Sequence, residues 1–190
     1  MDASLVQRAA VVICVAAVAT AFGFWLLGVI EAIGMWRFWP WAYRAGFKVV
    51  DTAVQKPMVA RVTTERLDLP YVRAATVDTQ QILFRAPMPL FAFRIKTPFP
   101  ILGTAMLEGE ALHIIGRIPL GTTGFFAAWL IGWTVGGVAT TIAKPALGIS
   151  FTALGWLFAG VTVAFSLPLE LRRFRRAQDA LLSQIAGTAA

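Results

Sequence analysis

Long apolar runs alternate with shorter, charge-studded stretches along this chain. Ala9 to Ile30 carries no charged residue and ends at Glu31. Ile118 to Ala143 is charge-free between Arg117 and Lys144, and Pro145 to Leu169 is charge-free between Lys144 and Glu170. About 20 mostly apolar residues in helix cross the hydrocarbon core of a bilayer. Three spans are therefore predicted, over residues 9–31, 124–143 and 147–167. The last two meet at Lys144-Pro145. Proline cannot continue the preceding helix, so this pair predicts the turn of a helical hairpin.

The period changes between the first and second runs. In Leu90-Phe91-Ala92-Phe93-Arg94-Ile95-Lys96, Phe91, Phe93 and Ile95 share one face and Arg94 and Lys96 the other, the signature of a half-buried strand. Thr104–Leu107 and Ala111–Arg117 flank Glu108-Gly109-Glu110, which predicts a tight hairpin with Gly109 supplying a positive φ. Further strands are predicted near Val59–Arg66, Tyr71–Val77 and Gln81–Arg85. Pro57, Pro70, Pro87, Pro89, Pro98 and Pro100 punctuate them, because proline donates no ladder hydrogen bond. Five or six short antiparallel strands result, a unit small enough to lean on the membrane or on the helix bases.

Between the first span and these strands, residues 36–56 read as a helix. Trp36, Phe38, Trp39, Trp41, Tyr43 and Phe47 mix there with Arg37, Arg44 and Lys48. Trp and Tyr favour the headgroup region and long cationic side chains reach for phosphate, so Trp36, Arg37, Trp39, Trp41 and Arg44 form an expected interfacial girdle. After the third span, Arg172, Arg173, Arg175 and Arg176 open a stretch in which Leu171, Phe174, Leu181, Leu182 and Ile185 recur at helical spacing. A basic amphipathic helix beside a span reads as lying on an anionic leaflet. The same arginines also serve as a topology signal.

The expected fold is thus an α+β membrane protein. Three transmembrane helices carry a small antiparallel β domain between the first and second, and a C-terminal amphipathic helix follows. The divisions are 1–35 for the first span, 36–56 for the interfacial segment, 57–120 for a cytoplasmic β domain, 121–167 for the membrane hairpin and 168–190 for the basic tail.

Composition supports this reading. Of the 190 residues, 58% are hydrophobic and 14% charged, against about 45–50% and 25% in soluble domains. Disordered chains, coiled coils and ordinary soluble domains are excluded on that ground. The net charge of +7 would suggest nucleic acid in a soluble chain, but here it reads as cytoplasm-facing loops and anionic lipid. Arg37, Arg44, Lys48 and Lys56 follow the first span, and Arg172, Arg173, Arg175 and Arg176 follow the third. Arg8 and Lys144 flank the other ends. Cations mark the cytoplasmic side, so the N-terminus and hairpin turn are expected outside, with the β domain and C-terminus inside. A rival reading takes Ala19-Thr20-Ala21 as a signal-peptide cleavage site. The apolar run continues past it through Leu27, and cleavage would send the arginine cluster outside.

Catalytic signals are sparse. A single Cys, Cys14, and a single His, His113, exclude an intrachain disulfide and a four-ligand structural zinc site. No phosphate-loop, dinucleotide, zinc-protease or nucleophile-elbow motif occurs, and Gly121-Thr122-Thr123-Gly124 lacks the lysine of a phosphate loop. No cofactor is expected. His113 near Glu108 and Glu110 lacks a positioned nucleophile and reads as a sheet-surface histidine. Glu31, at the end of the first span, reads as a snorkelling or ion-paired anchor. Gly132, Gly136 and Gly155 give the second and third spans small-residue faces, for hairpin packing or for self-association.

Ile95-Lys96-Thr97-Pro98-Phe99-Pro100-Ile101-Leu102-Gly103, the hairpin through Leu112-His113-Ile114, then Phe125-Phe126 and Trp129-Leu130 carry a resemblance. This stretch resembles small bacterial inner-membrane proteins of unknown function in which a compact β-rich domain runs into a two-helix membrane hairpin. The resemblance implies a bacterial inner membrane and no activity. The expected function is non-enzymatic: a β domain held at the cytoplasmic leaflet to bind anionic headgroups or a membrane partner, including a second copy. The alternatives are an accessory subunit of a larger membrane complex or transporter, and a lipid-acting enzyme using His113, Glu108 or Glu110.

Overall fold

The computed structural model describes residues 3–55, 66–78, 80–87, 97–109 and 111–187. The strands predicted at Val59–Arg66 and Leu90–Lys96 lie almost wholly outside these residues; only Arg66 is inside. The elements run α1 (Ala3–Arg37), α2 (Pro40–Arg44), β1 (Phe47–Gln55), β2 (Arg66–Asp68), β3 (Arg73–Asp78), β4 (Gln81–Arg85), β5 (Leu102–Glu108), β6 (Ala111–Ile118), α3 (Leu120–Ala143) and α4 (Pro145–Gly187). The chain divides into two compact units. Residues 1–29 with 121–165 form one, and 30–120 with 166–190 the other.

The first unit consists of apolar helix. Helices α1, α3 and α4 are each long and apolar enough to cross a membrane. Large apolar side chains stand outward on all three: Phe22 is 60% exposed, Ile131 57% and Phe158 58%. In water such surfaces would be costly. Lys144 separates α3 from α4, with Pro145 as the first residue of α4, as the hairpin expectation requires.

The second unit is an antiparallel sheet of order β1-β6-β5-β4-β3-β2. Glu108 pairs with Ala111, and Gly109 has φ +62°, the left-handed conformation expected of it. Alternation assigns two faces. Phe84, Ala105, Leu112 and Ile114 point to one face and pack with Phe174, Ala177, Leu181 and Ile185 from the end of α4. Leu83 and Leu102 point to the other and pack with Met35, Ala42 and Tyr43 from the end of α1 and from α2.

Two expectations are corrected. Residues 36–56 are not one helix: α1 ends at Arg37, α2 lasts five residues, and 47–55 is strand β1. The β-branched residues Val49, Val50, Thr52 and Val54 favour a pleated backbone, whereas the aromatic residues that suggested the girdle stop, apart from Phe47, at Tyr43. The C-terminal amphipathic helix is not a separate element with a lipid-seeking stripe. It is the last part of α4, which continues through Pro168, and Phe174, Leu181 and Ile185 are each 1% exposed. Those side chains form the sheet's core and are not free to enter a leaflet.

Close packing there rests on two facing glycines. Gly103 pairs with both Phe84 and Gly116 in the neighbouring strands. A Cβ on Gly103 would strike the Phe84 ring, and one on Gly116 would lie 2.9 Å from Phe174 Cζ. The shallow trough they leave seats the two rings, whose centroids are 5.3 Å apart.

Candidate functional site: an arginine and aromatic cluster under α2

The end of α1 sets this site. Trp39 N–H donates to the Gly34 carbonyl at 2.8 Å and Phe38 N–H to the Met35 carbonyl at 3.4 Å. These bonds close the helix in the Schellman pattern, whose left-handed residue is usually glycine. Here that residue is Phe38, with φ +56°. Pro40 then starts α2, where a missing N–H costs nothing. The reversal lays α2 over Leu83 and Leu102. Tyr43 Oη–H donates back to the Met35 carbonyl at 3.1 Å, and the Phe38 and Tyr43 rings stack at 5.8 Å.

Arg85 enters beneath this turn. It ends β4 on the same face as Leu83 and is 5% exposed. Its guanidinium lies 5.0 Å from the Trp36 ring centre and 5.6 Å from that of Phe38, and it donates to Tyr43 Oη. Burial, reinforced by the like charge of Arg73, lowers the Arg85 pKa. Burial raises that of Tyr43 above the usual phenol value and outweighs the opposing pull of Arg85.

Pairing across the sheet gives Arg85 one cationic neighbour, Arg73. The row reads Asp68, Arg73, Arg85, Leu102, Arg117 and Lys48. Asp68 pairs with Arg73, and Lys48 with Asp51 at 2.7 Å. That lysine holds the exposed Asp51 carboxyl below its ordinary pKa. Arg85 and Arg117 form no ion pair among the described residues. Arg117 donates to the Arg44 carbonyl, and the Arg44 guanidinium to Gln81 Oε1. Three buried side-chain nitrogens lack an acceptor among the described residues: Gln81 Nε2, Arg85 Nε and Arg117 Nε. All three are donors, and all three residues share the α2-covered face of β4 and β6.

The expected girdle residues Trp36, Arg37, Trp39, Trp41 and Arg44 gather at this turn. Trp36, Trp39 and Trp41 are 43%, 37% and 41% exposed, and Arg37 lies 5.9 Å over the Trp39 ring. Arg172, Arg173, Arg175 and Arg176 belong instead to the helix on the opposite face, where Arg173 pairs with the buried Glu170 at 2.7 Å. Glu170 also accepts from Thr97. Glu31 is 1% exposed and accepts from Leu120 N–H at 3.1 Å, so it caps the start of α3. His113 Nε2 lies 3.9 Å from Glu108 Oε2 at the sheet surface. Glu110 lies outside the described residues.

The packing glycines divide differently from the expected hairpin face. Gly155 meets the Trp133 indole, within the α3–α4 hairpin, while a Cβ on Gly132 would lie 3.3 Å from Ala17 of α1. Gly136 has open space, and its neighbour Gly137 meets Thr152 instead.

Phe38 and Tyr43 belong to the aromatic stretch read as interfacial, but Gln81, Arg85 and Arg117 were not legible as their partners. The available signal was a pair of polar residues, Gln81 and Arg85, on the Leu83 face of an otherwise apolar strand. Among the described residues no group of three His, Cys, Asp or Glu could hold a metal. Compared with models of protein families, with curated proteins and with solved structures, the chain matches none.

Proposed function

We propose that this chain is a non-enzymatic, multi-pass protein of a bacterial inner membrane that holds its sheet unit against the cytoplasmic leaflet and binds anionic headgroups there. The observation that carries this reading is the pairing of three outward-apolar helices with an Arg- and Trp-rich turn at the end of α1. The connections are short: residues 38–46, with α2 among them, lie between α1 and β1, and Pro119 alone lies between β6 and α3. A unit so tethered stays within reach of headgroups. Trp and Arg favour that layer, and an anionic surface adds about 1 kcal/mol per nearby cation. The arginines of both flanks support a cytoplasmic sheet unit by the positive-inside bias.

Membrane extraction and lipid analysis test this. The full chain should resist an alkaline carbonate wash, come out only in detergent, and retain anionic lipids in excess of their share of the membrane. Release by carbonate would remove the membrane reading. Retention with no anionic enrichment would remove the headgroup reading.

A further inference from the structure

We propose that Arg85, with Arg73 beside it across the β3–β4 pair, forms a specific binding site for a phosphate group. The site goes beyond general attraction to a leaflet. It rests on the preceding reading only for the source of the phosphate, a lipid headgroup or the free anion.

Four observations meet here. Arg85 is 5% exposed yet has no carboxylate partner among the described residues, and its Nε–H has no acceptor. A buried charge without a partner is costly, and removing water from a guanidinium is repaid only by matched acceptors. Arg73 stands directly opposite on the same face, and like charges so placed repel. An anion between them turns that repulsion into attraction.

The surroundings select the kind of anion. The Trp36 and Phe38 ring centres lie 5.0 and 5.6 Å from the Arg85 guanidinium and Tyr43 Oη takes one of its hydrogen bonds, so an anion would meet its remaining N–H donors, Nε–H among them. An edge-on guanidinium gives paired donors in the spacing of phosphate or carboxylate oxygens. Two arginines match the nearly double charge of a phosphate monoester better than the single charge of a carboxylate. Trp36, 43% exposed, and the Arg73 side chain, 44% exposed, are neighbours of Arg85 that reach solvent. Asp68 offsets part of the charge on Arg73, so Arg85 carries the larger share of binding.

The strained turn fits this role. A bulky residue in the left-handed region stores backbone energy, and such strain concentrates where geometry is imposed for function. Phe38 holds its ring over Arg85 from that conformation.

The test uses the full chain in detergent, free of phosphate, at constant ionic strength. Thermal midpoints are recorded for wild type, R85M and R73Q with added inorganic phosphate, and with chloride as control. The three are then compared in nanodiscs of phosphatidylcholine alone and of phosphatidylcholine with phosphatidic acid. Phosphate should raise the wild-type midpoint, as any ligand of the folded state does. Binding should weaken about tenfold to a hundredfold in R85M, the loss of one charge-assisted hydrogen bond, and less in R73Q. R85M should remain folded without phosphate, because the lost ring contacts and Tyr43 hydrogen bond are offset by deleting a buried charge that has no carboxylate partner among the described residues. If R85M fails to fold, the exposed R73Q decides. A response to inorganic phosphate makes the free anion sufficient; a response to phosphatidic acid alone makes the ligand a headgroup. Equal shifts in all three proteins, or none with either probe, overturn the proposal. A phosphate response from a chain that carbonate releases would keep this site while removing the membrane reading.

Discussion

Phe38 is the residue at which backbone and side chain compete most openly. Its φ of +56° costs an L-residue roughly 1–2 kcal/mol, while its ring stacks on Tyr43 and faces Arg85. Two substitutions separate these terms. F38A loses the ring and keeps the strain, whereas F38G loses the ring and relaxes the strain. F38A should therefore be the less stable by about 1 kcal/mol, read from denaturant unfolding in detergent; equal stability would mean Phe38 is not held left-handed. Tyr43 adds a prediction in pH. Its folded pKa lies above its unfolded value of about 10. The stability it contributes is therefore complete below that value and declines as pH climbs past it, because the unfolded chain loses the phenolic proton first. Y43F should show a flatter decline in unfolding free energy across that alkaline range. Parallel curves would show that Tyr43 titrates alike in both states.

Helices and strands show where sequence patterns carried information and where they failed. Strand β4 matches its predicted limits, Gln81–Arg85, and β6 extends one residue beyond Ala111–Arg117; the turn at Gly109 fixes where β6 begins. Strand β1 was hidden by the aromatic cluster before it and by its own polarity: Lys48, Asp51 and Gln55 interrupt the alternation. The tail shows a deeper ambiguity. An apolar stripe at helical spacing fits a leaflet and a sheet equally well, and the pattern of Phe174, Leu181 and Ile185 contains nothing about what covers it. Only the trough at Gly103 and Gly116 decides it, and a trough exists only after strands have paired. F174A should accordingly destabilise the sheet unit by about 3–5 kcal/mol, the cost of a core aromatic deletion. A stripe lying on lipid would give a smaller effect that vanished in detergent. Gly103→Ala should destabilise by about 1–3 kcal/mol, because the enclosed Phe84 ring must move. In the α3–α4 hairpin, Gly137→Ala should lower the thermal midpoint and Gly136→Ala leave it unchanged, since of the two only Gly137 faces a side chain. The reverse order would exchange the packed and open faces of α3.

For the whole molecule, the three apolar runs located the three long apolar helices, because an uncharged run of about 20 residues is enough helix to cross a bilayer. The Arg85 cluster stayed illegible because it joins residues 36–44, 73, 85 and 117, which become neighbours only through strand order and the reversal after α1. The central proposal is that α1, α3 and α4, each long and apolar enough for it, cross a membrane. Site-directed labelling tests it most directly. In a C14S background, Q55C on β1 and K144C between α3 and α4 are exposed to a membrane-impermeant thiol reagent, in intact cells with a permeable outer layer and in inverted vesicles. We predict that K144C labels from outside only and Q55C from the cytoplasmic side only. Labelling of both positions from the same side would contradict the three-span account.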